Sequence, residues 1–363
     1  MTIEDYIIKN YPDRIVGSDG IPKKFLLEAM DKLGYDWGTV QDKDKISFGI
    51  YNFRDISRRN PSGIVSNGNE ASSKNIADTS EVNNFKYEPL HDPISYVKWG
   101  FYDDLQTIVT KRVFFPVFIS GLSGNGKTLM VKEVCRESSI SLIRIQISPD
   151  TDETDLIGSL SLSGGNTIFA KGPVIRAMET GSILLIDEID RGTNKIMCLQ
   201  GILEGTDYFL KKTGEIIMPR PGFNVIATAN TLGKGSPSGH FSAANILDEA
   251  FLERFKITFH QQFAPESIET DILIGHFKHF SGGYVDSLFV KYLIQWAQAI
   301  RKTYFEGGIS EVISTRRLCH IIESYVLFKD RKKAIEYCIS RFDDEIKGVF
   351  FDLYTKVDSS VKK

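Results

Sequence analysis

The stretch GLSGNGKT, Gly121–Thr128, constrains this chain more than any other. Glycines at 121, 124 and 126 leave the segment little side chain and wide backbone freedom. It follows the apolar run VFIS and precedes the helical pattern TLMVKEVCRE. Strand, glycine-rich loop and helix in that order make a nest of backbone N–H groups at a helix N-terminus, which holds phosphate oxygens. The G-x-x-x-x-G-K-[ST] spacing lets Lys127 reach β- and γ-phosphates and lets the Thr128 hydroxyl hold Mg²⁺. Gly121, Ser123, Gly124, Asn125, Gly126, Lys127, Thr128 and Leu129 are the candidate nucleotide-binding residues. A glycine-rich turn ending in a surface lysine is the plainer alternative, and the intact strand–loop–helix context argues against it.

Three further stretches bear on what is done with the phosphate. ILLIDEID, 183–190, ends four apolar residues in two acids. Acids at the end of a buried strand are costly unless they bind something. Asp187 is placed to hold Mg²⁺ through water, and Glu188 to polarise an attacking water as general base. A hydrolase needs such a base, whereas a transferase uses its acceptor. ATANTLG, 227–233, ends the next apolar run and puts the Asn230 amide where it orients the same water or senses the γ-phosphate; an Asn turn is the simpler reading. LDEAFLERF carries Arg254 just before a short strand, and STRRL places Arg316 and Arg317 in the first turn of a helix.

The surrounding pattern predicts an α/β fold. Apolar runs at 117–120, 140–148, 182–187, 223–230 and 255–260 alternate with helical segments, as expected of parallel strands buried on both faces. Pro116 is poor inside a central strand, so the first of these begins at Val117. From about 265 to 357 only helical periodicities occur, in SIETDILIGHFKHF, YVDSLFVKYLIQWAQAIRKTYF, STRRLCHIIESYVLF and RFDDEIKGVFFDLYTKV. Residues 61–84 are rich in Ser, Asn and Gly and read as a flexible linker. Residues 1–60 read as a small α+β unit, with a helix after Pro22 carrying Phe25, Leu26, Ala29, Met30 and Leu33, and a strand at SFGIYNF, 47–53. The expected division is 1–60, 61–84, 85–262 and 263–363.

Composition excludes several classes. A net charge of −3 gives no overall basic excess for nucleic acid. No apolar stretch approaches the roughly 20 residues that span a bilayer. The start, MTIEDYIIKN, lacks the basic and apolar regions of a secretory signal. Cys135, Cys198, Cys319 and Cys338 are far apart and read as buried thiols of a reducing cytoplasm. His276 and His279, at helical spacing without an acidic or thiol motif, read as a surface or core pair.

Glycine loop, Asp-Glu, Asn, Arg-Phe and a late Arg, in this order, resemble an AAA+ ATPase. ETDLIGSL, FAKGPVIRAMETGSILLIDEIDRG and GFNVIATANTLGKG, with LDEAFLERF, are similar to the MoxR branch, and within it to CobS-type cobaltochelatase ATPase subunits. The resemblance spans roughly residues 90–330 and is strong over 117–262. It implies an AAA+ P-loop domain with a five-stranded parallel sheet flanked by helices, followed by a helical lid. It further implies ATP and Mg²⁺ at the interfaces of a homo-oligomeric ring, usually a hexamer. Lys127, Thr128, Asp187 and Glu188 match the two nucleotide motifs and Asn230 the first sensor. Arg254 matches the finger that acts on a neighbour's ATP, with Glu253 where the family often has Asp. Arg316 matches the second sensor, with Thr315 in place of a Pro and Arg317 following, which leaves open which arginine faces the phosphates. SLSGGNTIFAKGP matches the family's insertion ahead of the second motif, and TDYFLKKTGEIIM looks like its hairpin before the first sensor; both usually face the pore or a partner.

The expected function is therefore an ATP-driven motor that remodels a partner, in the cytoplasm of a bacterial or phage-infected cell. A CobS-like motor implies a partner bearing a von Willebrand A domain. A P-loop kinase has no evident use for Arg254 in trans. A McrB-type platform using ATP or GTP is the other alternative.

Overall fold

The computed structural model describes residues 3–11, 20–22, 25–26, 29–30, 45–47, 50–52, 96–163, 166–235 and 244–361. The chain divides into two units, Met1–Asn83 and Asn84–Lys363.

Among its described residues the first unit has a helix, Ile3–Asn10, and three short antiparallel strands, β1 (Gly20–Pro22), β2 (Lys45–Ser47) and β3 (Ile50–Asn52), in the order β1-β3-β2. The run 47–53 is therefore not one strand. Ser47 pairs opposite Ile50, so the alternation passes from one antiparallel neighbour to the next. Pro22 closes β1 rather than opening a helix. Phe25, Leu26, Ala29 and Met30 are helical, and the last three are buried. Leu33 and the 61–84 linker lie outside the described residues.

Among its described residues the second unit has nine strands: β4 (Val117–Ser120), β5 (Leu142–Gln146), β6 (Gly158–Ser163), β7 (Asn166–Lys171), β8 (Ile183–Asp187), β9 (Tyr208–Leu210), β10 (Glu215–Ile217), β11 (Asn224–Thr228) and β12 (Ile257–His260). Five of them form a parallel sheet in the order β12-β4-β11-β8-β5. β4, β8 and β11 are buried at every residue, as their unbroken apolar runs require. Two expectations of double-sided burial fail at the edges. In β5, alternate residues leave the core, so Arg144 and Gln146 stand on an accessible face, and β12 likewise buries only Phe259. β4 begins at Val117, and the Pro116 carbonyl accepts from Lys256 N–H at 2.9 Å. Helices Tyr102–Thr110 and Lys127–Glu137 pack Leu105, Val109, Val131 and Val134 on one face of the sheet. Helix Pro173–Thr180 packs Val174, Ile175 and Met178 on the other. The remaining strands form two antiparallel hairpins, β6–β7 and β9–β10.

After β12 come helices Glu266–Ser281, Ser287–Phe305, Thr315–Phe328, Arg331–Ile339 and Asp344–Val357. The fourth was not legible, because RKKAIEYCI is short and opens on three charges. An Asp330 side-chain cap on Lys333 N–H starts it, and packing of Ala334, Ile335 and Ile339 on the lid core holds it.

One buried ion pair sets the lid's geometry. Arg301 grips both carboxylate oxygens of Glu269 at 2.8 Å, and both side chains are almost wholly buried. The Arg301 Nε donates to the Ile313 carbonyl at 2.9 Å, and the Thr315 hydroxyl donates to Glu269 at 2.6 Å. Thr315, standing where the family pattern has Pro, thus ties the start of helix Thr315–Phe328 to two other helices. Bidentate geometry and extra donors offset the desolvation of both charges.

No disulfide links the four cysteines. Cys135 and Cys338 are buried, but Cys198 and Cys319 are only partly so, and Cys319 lines the cleft described below. Among the described residues no helix is long and apolar enough to cross a membrane.

Removing Glu269 strands a buried guanidinium. Glu269→Ala is expected to destabilise the chain by about 3–5 kcal/mol, read from the denaturant midpoint. Thr315→Val, which leaves the pair intact, is expected to cost only about 1 kcal/mol.

Candidate functional site

The C-terminal ends of β4, β8 and β11 face the lid across a cleft of about 520 Å³. This is the crevice where open α/β sheets bind ligands. The loop Gly121–Thr128 forms its floor. Gly124 and Gly126 hold φ of +79° and +91°, which a side chain would strain. A Cβ on Gly124 would also stand 2.6 Å from the Ser314 Oγ. Helix Lys127–Glu137 starts at once, with no side-chain cap, so its first N–H groups are free for an anion.

Ser123, Gly124, Asn125, Gly126, Lys127, Thr128 and Leu129 all line the cleft. Gly121 acts from beneath. Its carbonyl accepts from Lys127 Nζ at 2.6 Å, and the same ammonium reaches Leu122 O at 3.0 Å and Asn230 Oδ1 at 3.5 Å. Burial pushes the Lys127 amine down to about 8, against the opposing pull of Asp190 and Asp187. The Asn125 side chain pins the loop by donating to Gln261 O at 2.5 Å.

Asp187 accepts four hydrogen bonds in the cleft. Its Oδ1 accepts the hydroxyls of Thr128, at 2.9 Å, and Thr228. Its Oδ2 accepts Arg144 Nε at 3.0 Å and Nη2 at 2.5 Å. Burial acts to raise its pKa, but the Thr228, Arg144 and Thr128 hydrogen bonds outweigh that and hold it below the usual carboxylate range. Glu188, the next residue, has a left-handed φ of +56° that turns its side chain out of the strand. It meets Gln146 Nε2 at 2.9 Å and Arg191 at 3.2 Å. Thr128 and Asp187 together offer hard oxygen donors beside the phosphate loop, a set that suits Mg²⁺.

Asn230 reaches the cleft because Asp190 shapes the turn beneath it. The fully buried Asp190 accepts from Asn230 N–H, Thr231 N–H and the Thr231 hydroxyl through one oxygen, at 3.0, 2.9 and 3.0 Å. Its other oxygen has no hydrogen-bond partner. Arg316 also lines the cleft, and its backbone N–H donates to Gly124 O at 3.2 Å. Arg317 turns into the lid instead, where burial and then Arg341 push its pKa down. Arg254 is not on this cleft. Its guanidinium lies 3.4 Å from Glu204 and donates to the Ala250 carbonyl. His276 is more than a core residue, for it lines the cleft and shares a 2.8 Å hydrogen bond with Glu323.

Arg144, Gln146, Thr228 and Asp190 were missed as site residues. The signal for the first two was a charged and an amide side chain at i, i+2 in the otherwise apolar ISLIRIQIS.

Residues 116–255 match the AAA domain (dynein-related subfamily). The aerobic cobaltochelatase subunit CobS of a Sinorhizobium species is 25% identical over 237 residues, covering 64% of this chain and 71% of that protein. Midasin of Giardia intestinalis is 27% identical over 179 residues, covering 48% of this chain and 4% of midasin. The Thermotoga maritima RuvB Holliday junction branch migration motor superposes with a TM-score of 0.42 at 14% identity, over 67% of this chain and 68% of that one.

The Lys127 proton gives a pH test. In the free protein it is lost as pH passes about 8. ATP affinity is then expected to fall by up to about ten-fold per pH unit. Binding of a fluorescent ATP analogue from pH 7 to 10 measures this, and Lys127→Met is expected to bind weakly with a flat profile. Folding stability moves the opposite way. The unfolded lysine keeps its proton to about 10.5, so this group's penalty on the folded state eases between pH 8 and 10.5.

Proposed function

We propose that this chain, an AAA+ P-loop protein similar to CobS-type subunits, hydrolyses ATP at the interfaces of a homo-oligomeric ring and uses the cycle to remodel a partner protein. Residues 85–262 serve as the nucleotide-binding domain and 263–363 as its lid. One observation carries the reading. The cleft gathers a phosphate loop, Asp187, Glu188, Asn230 and Arg316, while Arg254 stands elsewhere on the same unit, tied to Glu204.

In this reading Lys127 and the helix N-terminus bind the phosphates, and Thr128 and Asp187 would hold Mg²⁺, which would supply positive charge beside the transferring phosphoryl group. Glu188 takes the proton of the attacking water, Asn230 orients that water, and Arg316 senses the γ-phosphate from the lid. Arg254 enters the neighbour's cleft, where an arginine can add roughly 10³–10⁵ in rate. Hydrolysis then depends on how two subunits sit, which couples nucleotide state to ring geometry.

Two hairpins support a partner-facing role. β6–β7 exposes Leu160, Leu162 and Ile168, and β9–β10 exposes Phe209, Ile216 and Met218. Apolar side chains gathered on exposed hairpins favour contact with another chain. The similarity to CobS makes a chelatase-type partner with a von Willebrand A domain the first to test, in a cytoplasmic hexamer.

Glu188→Gln is expected to keep ATP binding while turnover drops by at least about 10², in a steady-state phosphate-release assay. Mixing Arg254→Ala with Lys127→Ala subunits is expected to restore part of the activity that each lacks alone. Loss of rescue at every ratio, or a monomer in sedimentation with Mg²⁺ and an ATP analogue, would sink the ring.

A further inference from the structure

Asp187 has no oxygen to spare. Its Oδ1 takes two hydroxyl hydrogens, from Thr128 and Thr228, and its Oδ2 takes two guanidinium hydrogens, both from Arg144. A carboxylate oxygen accepts about two hydrogen bonds, so both oxygens are filled. A hydrated divalent cation recognised through Asp187 must therefore take the place of one donor.

The four contacts are not equally easy to give up. Thr128 can offer a lone pair to a cation while its hydrogen stays on Asp187. Thr228 is buried, uncharged and fixed in β11. Arg144 differs from both. It stands on edge strand β5, its side chain is 31% exposed, and it lines the same cleft as the phosphate loop. Of the three residues that donate to Asp187, it is also the one whose charge opposes a cation's arrival.

We propose that Arg144 is a tethered rival for the metal's carboxylate: its guanidinium holds Asp187 until a divalent cation arrives with the nucleotide, so that the site takes up metal and nucleotide together. The proposal rests on the ATP reading of the cleft. A cation alone meets a carboxylate already neutralised by Arg144. A cation carried by a triphosphate brings negative charge with it. That charge attracts the cation toward Asp187 and offers the displaced guanidinium a new anionic partner in the same cleft. Metal and nucleotide occupancy are thereby coupled, each tightening the other. Two residues along β5, Gln146 holds Glu188 at 2.9 Å with a neutral amide. One strand edge thus grips both acids, and the charged grip falls on the acid that faces the metal.

The test is Mn²⁺ binding to the full chain, followed by electron paramagnetic resonance, with and without a non-hydrolysable ATP analogue. The native chain is expected to bind Mn²⁺ tightly only with the analogue. Arg144→Ala is expected to tighten Mn²⁺ binding without nucleotide by about ten-fold or more, the effect of removing one charge-assisted competitor. The gap between the two conditions then narrows. Arg144→Lys, which keeps the charge without the fork, is expected to fall between the two. Equal or weaker nucleotide-free Mn²⁺ binding in Arg144→Ala would overturn the proposal and leave Arg144 as a strut for Asp187. If Arg144→Ala does not fold, Arg144→Gln makes the same comparison. Failure of the ATP reading looks different: the native chain would then bind no analogue at any Mn²⁺ concentration, while the nucleotide-free titration would still report on Arg144.

Discussion

Three separate parts of the nucleotide-binding unit are fastened to one buried carboxylate. Asp187 joins the helix after the phosphate loop through Thr128, the neighbouring strand β11 through Thr228, and the sheet edge through Arg144. The cost of burying a charge explains the arrangement. An ionised carboxylate beneath a sheet edge is tolerated only when its lone pairs are filled, and four donors from three elements fill them. The position of the loop over the strand ends follows from this. A phosphate seated on Lys127 and the helix N-terminus lies above an acid whose location is set by the sheet.

The lid is fixed by a second buried charge with the same logic. Glu269 draws Arg301 and Thr315 together, and Arg301 also grips the Ile313 carbonyl. The segment so clamped leads directly into Arg316. Asp190 does comparable work under Asn230, holding two backbone N–H groups and a hydroxyl. Glu269 and Asp190 each position a residue that faces the cleft without lining it themselves, whereas Asp187 lines it.

Much of this was legible in the chain. Unbroken apolar runs marked the strands, and the glycine spacing, the Asp-Glu pair, Asn230 and Arg316 were readable because each sits at the end of such a run or at a helix start. These residues meet in one cleft. What was not legible depends on distant neighbours. The edge position of β5 follows from strand order, and periodicity carries no strand order, so the run 140–148 reads as a strand buried on both faces and does not single out Arg144 and Gln146. That Arg316 lines the cleft and Arg317 does not depends on the rotation of one helix about its axis, whose start the Ser314 cap and Thr315 hold. Helix Arg331–Ile339 is held by packing more than by propensity, and a nine-residue window does not show packing.

The contact between Gly124 and the start of helix Thr315–Phe328 has a mechanical consequence. The Arg316 N–H donates to the Gly124 carbonyl, and the Ser314 side chain fills the space where a Cβ would stand. Floor and roof of the cleft are therefore one linkage. The lid helix meets the loop's backbone directly, through one backbone hydrogen bond and the Ser314 side chain. Strain put on the lid from outside is felt as a change in the shape of the phosphate cradle, and a change in what the cradle holds is felt as torque on the lid.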